Sequence, residues 1–450
     1  MNLPVLMTML WLSMVSAAAA ASQPAEEVEI FVIEADNAFD TQGRALGPVT
    51  ILVKGSRILA SGTDLEIPEE AEILACPEGG YLTPGLIDAA SRAGVVDPYS
   101  WTEHASEVVP HLENIHAIDL SSKQFERLAE QGVTSVYVTP DPASVIGCQG
   151  TVVKTAGPWP ARILKRSVDV KAALGSEGWQ RGSRNRSPRG AVDFRTRRPT
   201  TRMGMAWVFR KAFYDAAAYL QEGTGGLADP DELDPAMEVL ARVLKNELPL
   251  RIQAREDIDI WSAIRMCKEF GMKFVLEEGT EAHRCIPELK AYEVPVIFGP
   301  VAPQQRAGGR RMGQYSGGSR RSLRTCMNTA GLLREAGIPV ALTAAGRGGE
   351  DALPHQACYA IRCGLGFEDA FQATTVTPAA LLGVSDRVGR LEPGMDADLV
   401  LWTARPFSAG AKPALVMING TIVYRDEARP TSTAGDSELT ASDEAKGKEG

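Results

Sequence analysis

Tyr81-Leu-Thr-Pro-Gly-Leu-Ile-Asp88 runs directly into Ala89-Ala90-Ser91-Arg92, and the rest of the chain arranges itself around this stretch. Upstream, Glu27-Val-Glu-Ile-Phe-Val-Ile33 and Val49-Thr-Ile-Leu-Val53 have the β-branched and aromatic content of strands, and Lys54-Gly-Ser-Arg57 supplies a turn before Ile58-Leu-Ala60. Downstream the period changes. A helix through Phe125, Leu128 and Ala129 precedes the strand Gly132-Val-Thr-Ser-Val-Tyr-Val138, and Leu250-Arg-Ile-Gln-Ala254 feeds a helix through Ile258, Ile260, Ile264 and Met266. The same rhythm returns at Phe274-Val-Leu-Glu277, Val294-Pro-Val-Ile-Phe298 and Ile338-Pro-Val-Ala-Leu342. Such alternation predicts a parallel β/α barrel with its functional residues at the C-terminal ends of the strands.

Strand patterning returns near the other end, in Ala397-Asp-Leu-Val-Leu-Trp402, Ala414-Leu-Val-Met-Ile-Asn419 and Gly420-Thr-Ile-Val-Tyr424. The expected architecture is therefore α/β: a TIM-like (β/α)8 barrel over residues 83–385 with a composite β-sandwich domain from both chain ends, residues 22–82 and 386–428. From Arg429 to Gly450 polar residues replace any apolar stripe, which predicts a disordered tail.

Residues 1–21 combine an apolar run through Leu6, Leu10 and Val15 with five consecutive alanines, after which Ser22-Gln-Pro-Ala-Glu-Glu27 turns abruptly polar. This composition predicts a cleaved signal peptide and export to a periplasmic or extracellular space, with no transmembrane domain after cleavage. A net charge of −10 over 450 residues argues against a whole-protein polyanion binder. The seven cysteines, at 76, 148, 267, 285, 326, 358 and 363, are dispersed, with neither disulfide-scaffold nor CxxC spacing.

Pro84-Gly-Leu-Ile-Asp88, Gly132-Val-Thr134, Pro199-Thr-Thr-Arg-Met-Gly204, Glu278-Gly-Thr-Glu281, Thr377-Pro-Ala-Ala-Leu-Leu-Gly383 and Gly389-Arg-Leu-Glu-Pro-Gly-Met-Asp-Ala-Asp-Leu-Val400 occur in one order. As an ordered set over roughly residues 27 to 425 they resemble the metal-dependent amidohydrolase superfamily, in its imidazolonepropionase-like branch. The resemblance implies hydrolysis of C–N bonds in amide, lactam or peptide-like substrates. It also locates the losses. The paired histidines of the first barrel strand fall at Ala90 and Arg92, the histidine after the fifth strand at Gln253, and the one after the sixth at Glu278. The aspartate after the eighth strand falls near Ala344 or Ala345.

A hydrolytic metal needs several directed N or O donors and an open position for water. Alanine offers no donor, Arg92 places a cation where a ligand is expected, and Gln253 lacks imidazole basicity. No resident metal and no cofactor are expected, and the catalytic residues stay unassigned. A relocated centre would draw on Asp88, Glu277, Glu278, Glu281 and His283; the plainer reading has Glu281 capping the following helix and His283 solvated. Cys148, in Val145-Ile-Gly-Cys-Gln-Gly150, reads as an exposed loop thiol with no base adjacent in sequence. His104, His111, His116 and His355 default to surface or structural roles.

Two arginine-rich stretches bear on binding: Arg181, Arg184, Arg186, Arg189, Arg195, Arg197, Arg198 and Arg202, then Arg306, Arg310, Arg311, Arg320 and Arg321. Arg202, Arg306, Arg310 and Arg311 are the candidate anion binders, set against the plainer reading of solvated insertions. Acidic charge and sparse aromatics argue against nucleic acid. The expected function is an exported amidohydrolase-like protein that acts in binding or structure, with a small molecule or protein as partner and a homo-oligomer as one form. The alternative is a divergent C–N hydrolase.

Overall fold

The computed structural model describes residues 29–95, 103, 106–175, 199, 201–221, 234–301, 326–345 and 353–426. Residues 1–21, expected to be a signal peptide, and the polar tail lie outside them, as do all the arginines of the two basic stretches except Arg202. Strands from the N-terminal part are β1 Ile30–Phe39, β2 Ala45–Lys54, β3 Arg57–Gly62, β4 Glu72–Ala75 and β5 Tyr81–Pro84. Those of the barrel region are β6 Leu86–Ser91, β7 Val133–Val138, β8 Ile146–Gln149, β9 Thr151–Lys154, β10 Ile163–Lys165, β11 Val170–Ala173, β12 Leu250–Ala254, β13 Phe274–Glu278, β14 Val296–Phe298 and β15 Val340–Leu342. The chain returns through β16 Leu399–Trp402, β17 Pro413–Ile418 and β18 Thr421–Arg425.

Both chain ends do build one β-domain, hydrogen-bonded as a single eight-stranded sheet rather than as the two sheets of a sandwich. Its join is the antiparallel pairing of Tyr81–Pro84 with Leu399–Trp402. Strand alternation explains why this sheet fuses to the barrel. Leu399, Leu401, Leu415 and Met417 point into the sheet's own core with Phe31, Ile33, Ile51 and Val53. The intervening Val400, Trp402, Val416 and Ile418 point the other way, into the barrel's outer core. Gly132 shows how close that approach is. It sits at φ +80, and a Cβ there would lie 3.1 Å from the Trp402 ring.

In the barrel, β6 and β7 pair in parallel, and β11 to β15 form a second parallel run. Between them the chain runs β8–β9 antiparallel to both neighbours, so the third barrel position departs from the expected repeat. Tyr81–Pro84 and Leu86–Ser91 are separated only by Gly85, whose Cβ would meet the Thr134 side chain at 2.0 Å. The stretch that opens the barrel thus leaves one sheet and enters the other across a contact that only hydrogen fits.

Helices pack outside: α1 Lys123–Ala129, α2 Arg202–Gln221, α3 Pro235–Leu244, α4 Asp257–Phe270, α5 Ile286–Ala291, α6 Thr329–Glu335, α7 Leu353–Arg362, α8 Phe367–Thr374 and α9 Val376–Leu382. None of the described helices is long and apolar enough to cross a membrane. Where sheet meets barrel, the fully buried Lys154 donates to Asp396 at 2.6 Å, Asp398 at 2.9 Å and Asn419 at 2.5 Å. Asp396 also pairs with Arg57 and Arg387. Asp398 depends on Lys154 more heavily, because among the described residues its buried Oδ2 has no hydrogen-bond partner, and burial pushes its carboxyl up. Lys154→Met should therefore cost about 3–5 kcal/mol of stability by stranding buried carboxylate charge. Urea unfolding measures this, and a loss under about 1 kcal/mol would show that the seam does not rest on this cation.

Candidate functional site at the barrel mouth

Alternation along each barrel strand decides which residues face the axis. On β12, Leu250, Ile252 and Ala254 belong to the outer core, so Arg251 and Gln253 point inward. By the same test Lys171 and Ala173 on β11, Glu277 on β13, Ile297 on β14 and Ala341 on β15 face in.

The middle of the barrel is filled by a buried ion network. Arg251 donates from Nε to Asp169 at 2.7 Å and from Nη1 to the Ala89 carbonyl at 2.9 Å and Glu277 at 3.2 Å, while its guanidinium lies 3.7 Å over the Tyr137 ring. Lys171 donates to Glu277 and, at 2.9 Å, to Thr139; Tyr137 donates its hydroxyl to Asp169. Burial depresses Lys171 against the attraction of Glu277. Burial also acts on Glu277, but Lys171 and Arg251 together hold its carboxyl below the usual range. Among these only Glu277 is a candidate from sequence, as a metal donor. Its carboxylate is instead shared between two cations.

One layer nearer the mouth, the candidate positions fall into two groups. On the β6–β15 side, Asp88 accepts from Thr343 Oγ1 at 2.6 Å and the Ala90 amide at 3.1 Å, and more weakly from the Ala344 amide at 3.4 Å. Thr343 Oγ1 lies equally close, at 2.6 Å, to the Ala90 carbonyl, so its one hydrogen is shared between that oxygen and Asp88, and this contact closes the barrel between its first and last strands. Among the described residues no basic side chain pairs with Asp88. Burial pushes its carboxyl up to about 6, with Glu277 adding to the rise against the hydrogen bonds. On the β12–β13 side, Gln253 donates from Nε2 to Glu278 at 3.0 Å, and Arg255 pairs with the same carboxylate. Glu278 ends β13 at φ +72 and Ala345 follows β15 at φ +49, both left-handed. Arg92 follows β6, half-buried.

The other candidates separate from this rim. Glu281 is fully buried and accepts from the Asp257 amide at 3.0 Å, so it caps the start of the preceding helix α4, not the following one. Glu278 and Glu281 share no helix, since Glu278 belongs to β13 and a short turn begins at Ala282. His283 meets Thr329 Oγ1 at 3.1 Å, and burial lowers its pKa. Cys148 lies within β8, not in an exposed loop, and burial pushes its thiol up to about 12, which removes the thiolate a nucleophile needs. His111, His116 and His355 are exposed, and His104 lies outside the described residues. Arg202 is held by Asp259 at 2.7 Å and Glu256 at 3.0 Å, a helix-packing pair rather than an open anion site; Arg306, Arg310 and Arg311 lie outside the described residues. A cavity of about 260 Å³ lies elsewhere, at the seam beside Phe39, Ile51, Phe371 and Arg390, and contains none of the rim residues.

The resemblance implies a divalent metal at this rim, and the side chains present are poor donors for one. Two alanines supply no side-chain donor, Gln253 and Arg255 both spend donors on Glu278, and Glu277 is neutralised from two sides. Among the described residues no three His, Cys, Asp or Glu side chains converge. This donor set does not fit a hydrolytic metal.

Comparison with known proteins agrees with the architecture. The amidohydrolase family model matches residues 246–423. The crystal structure of an amidohydrolase from Thermotoga maritima MSB8 superposes with TM-score 0.76 at 30% identity, covering 88% of this chain and 100% of that one. A prolidase complexed with N-methylphosphonate-L-proline shares the fold at TM-score 0.54 and 18% identity, covering 88% of this chain and 100% of that one. Amidohydrolase tasK of Hapsidospora irregularis is 26% identical over 386 residues, 80% of this chain, which spans only 38% of that relative's length. The chain belongs to the amidohydrolase family.

The rim makes a pH prediction. Asp88 binds its proton more tightly folded than unfolded, so between about pH 4 and pH 6 the folded state holds more protons and stability falls as pH rises, by about 1.4 kcal/mol per unit. Above about pH 6 the contribution is constant. Asp88→Asn should remove this slope from the wild-type curve; an unchanged slope in urea titrations across that window would assign it to another group. Glu277→Gln should cost about 3–5 kcal/mol by leaving two buried cations with too little anion, read by the same unfolding measurement.

Proposed function

We propose that this protein is an exported amidohydrolase-fold protein, of the imidazolonepropionase-like branch, whose barrel mouth binds a small molecule without a hydrolytic metal. The observation that carries the reading is the engagement of the carboxylates beside the positions where the resemblance implies metal donors, here Ala90, Arg92, Gln253, Glu278 and Ala344 or Ala345: Glu278 meets Gln253 and Arg255, Glu277 meets Lys171 and Arg251, and Asp88 meets Thr343 and the Ala90 amide. A single exchange would leave a weakened centre. This set leaves a polar rim over a cross-braced interior, suited to holding a ligand rather than activating water.

Elemental analysis of the mature protein, purified without chelator and then dialysed against Zn²⁺, tests this directly. The expected result is well below one metal per chain and a melting temperature indifferent to Zn²⁺ or EDTA. Near-stoichiometric metal, lost on Glu278→Ala with parallel loss of amide or dipeptide hydrolysis, would overturn the reading in favour of a divergent hydrolase. Export rests on the composition of residues 1–21, and intact mass after expression with a secretion system should show their removal.

A further inference from the structure

Five of the twelve large apolar side chains exposed among the described residues fall on two neighbouring helices: Met203, Trp207 and Tyr214 on α2, Ile258 and Trp261 on α4. Helix α2 carries two apolar faces. Met205, Phe209, Ala212, Phe213 and Ala216 are buried on one. On the opposite side Met203, Trp207 and Tyr214 lie within about 40° of one another, at about 100° of turn per residue. Ion pairs hold the two helices side by side and in the same direction. Arg202 meets Asp259 at 2.7 Å near the start of each, and Arg210 and Tyr214 both reach Glu269 further along, at 2.8 Å and 2.6 Å. Met203 follows Arg202 and Ile258 precedes its partner Asp259, so the ridge on α2 continues onto α4 at that level.

Size and charge favour a second copy of this chain as the occupant of this face. At about 200 Å² for a large side chain, exposures of 80%, 59%, 55%, 41% and 38% leave roughly 500 Å² of apolar surface in water. That is more than half of the roughly 800 Å² that one partner gives to a standard interface, before any polar rim is counted. Two chains of net charge −10 repel one another. Here the charges beside the ridge are already spent within the chain, Arg210 on Glu269 and Lys211 on Asp215, so the repulsion is locally small. The ridge also complements itself. A twofold axis crossing α2 midway between Met203 and Tyr214 sets Met203 of one copy against Tyr214 of the other, and Trp207 against Arg210, giving thioether–aromatic and cation–π contacts.

We propose that this chain forms a twofold dimer through the solvent face of α2 and α4, with Trp207 beside the axis. The pairing does not depend on what the barrel mouth binds. Sedimentation velocity of the full chain across a concentration series tests it, and a dimer with a Kd of about 1 µM or tighter is expected. Trp207→Glu and Met203→Glu each remove a contact twice in a symmetric interface and should each weaken the dimer about a hundredfold or more, with unchanged far-UV circular dichroism. Leu59→Glu, at a comparably exposed apolar position on β3, should leave the dimer intact. A wild-type protein that stays monomeric at every concentration, a dimer that survives both α2 substitutions, or equal dissociation by Leu59→Glu would each overturn the proposal, and the first needs no variant to fold. A monomer that instead sediments with phosphatidylcholine vesicles, and loses that binding in Trp207→Glu, would overturn it in favour of a membrane surface.

Discussion

The Arg251 guanidinium is the constraint on which the barrel interior depends. It reaches from β12 across to the Ala89 carbonyl on β6, lies over Tyr137 from β7, and divides its remaining charge between Asp169 and Glu277. A barrel interior is ordinarily packed by branched apolar side chains in layers. Here the middle layer is ionic, and a charge so deeply buried is tolerable only because Nε and Nη1 meet acceptors and two carboxylates lie against the guanidinium. Burial opposes ionisation of Arg251, but Asp169 and the other surrounding anions hold its proton above the ordinary arginine value.

That layer sets what the mouth above it offers. With Lys171 and Glu277 bound to each other, the polar groups of the rim above them are Asp88, Thr343, Gln253 and Glu278. The first two are a closure device between the first and last strands. The last two, held by Arg255, leave one amide oxygen without a donor among the described residues. Chemistry at the mouth is thus decided one layer down, by which charges have already been used.

A second charged device does comparable work outside the barrel. Lys154 binds two aspartates of the returning chain, and the segment Gly389-Arg-Leu-Glu-Pro-Gly-Met-Asp-Ala-Asp398 is therefore more than a turn into β16: Asp396 and Asp398 dock the terminal sheet onto β9. Nothing near those aspartates in sequence announces a lysine more than two hundred positions away.

The alternation of apolar runs determined the barrel and the split terminal domain, because a period of two or 3.6 residues is a local property and burying one face leaves little freedom in fold class. Leu250-Arg-Ile-Gln-Ala254 even carried its own interior in view: an arginine and a glutamine at alternate positions of an otherwise apolar strand. The stretch from Ile146 to Ala173 was less legible. Cys148 looked like a loop residue because Gly147 and Gly150 interrupt the pattern, yet pairing to β11 makes it strand. The identities of Ala90, Arg92, Gln253 and Glu278, at positions where the resemblance implies metal donors, are also legible in the sequence, residue by residue. Which charges cancel is not. Whether Glu277 is a free carboxylate or the partner of two cations, whether Glu281 caps the helix before it or after it, and whether Gln253 Oε1 is satisfied depend on distances between strands far apart in the chain. Only closure of the barrel brings them within the few ångströms over which a buried charge or hydrogen bond is decided.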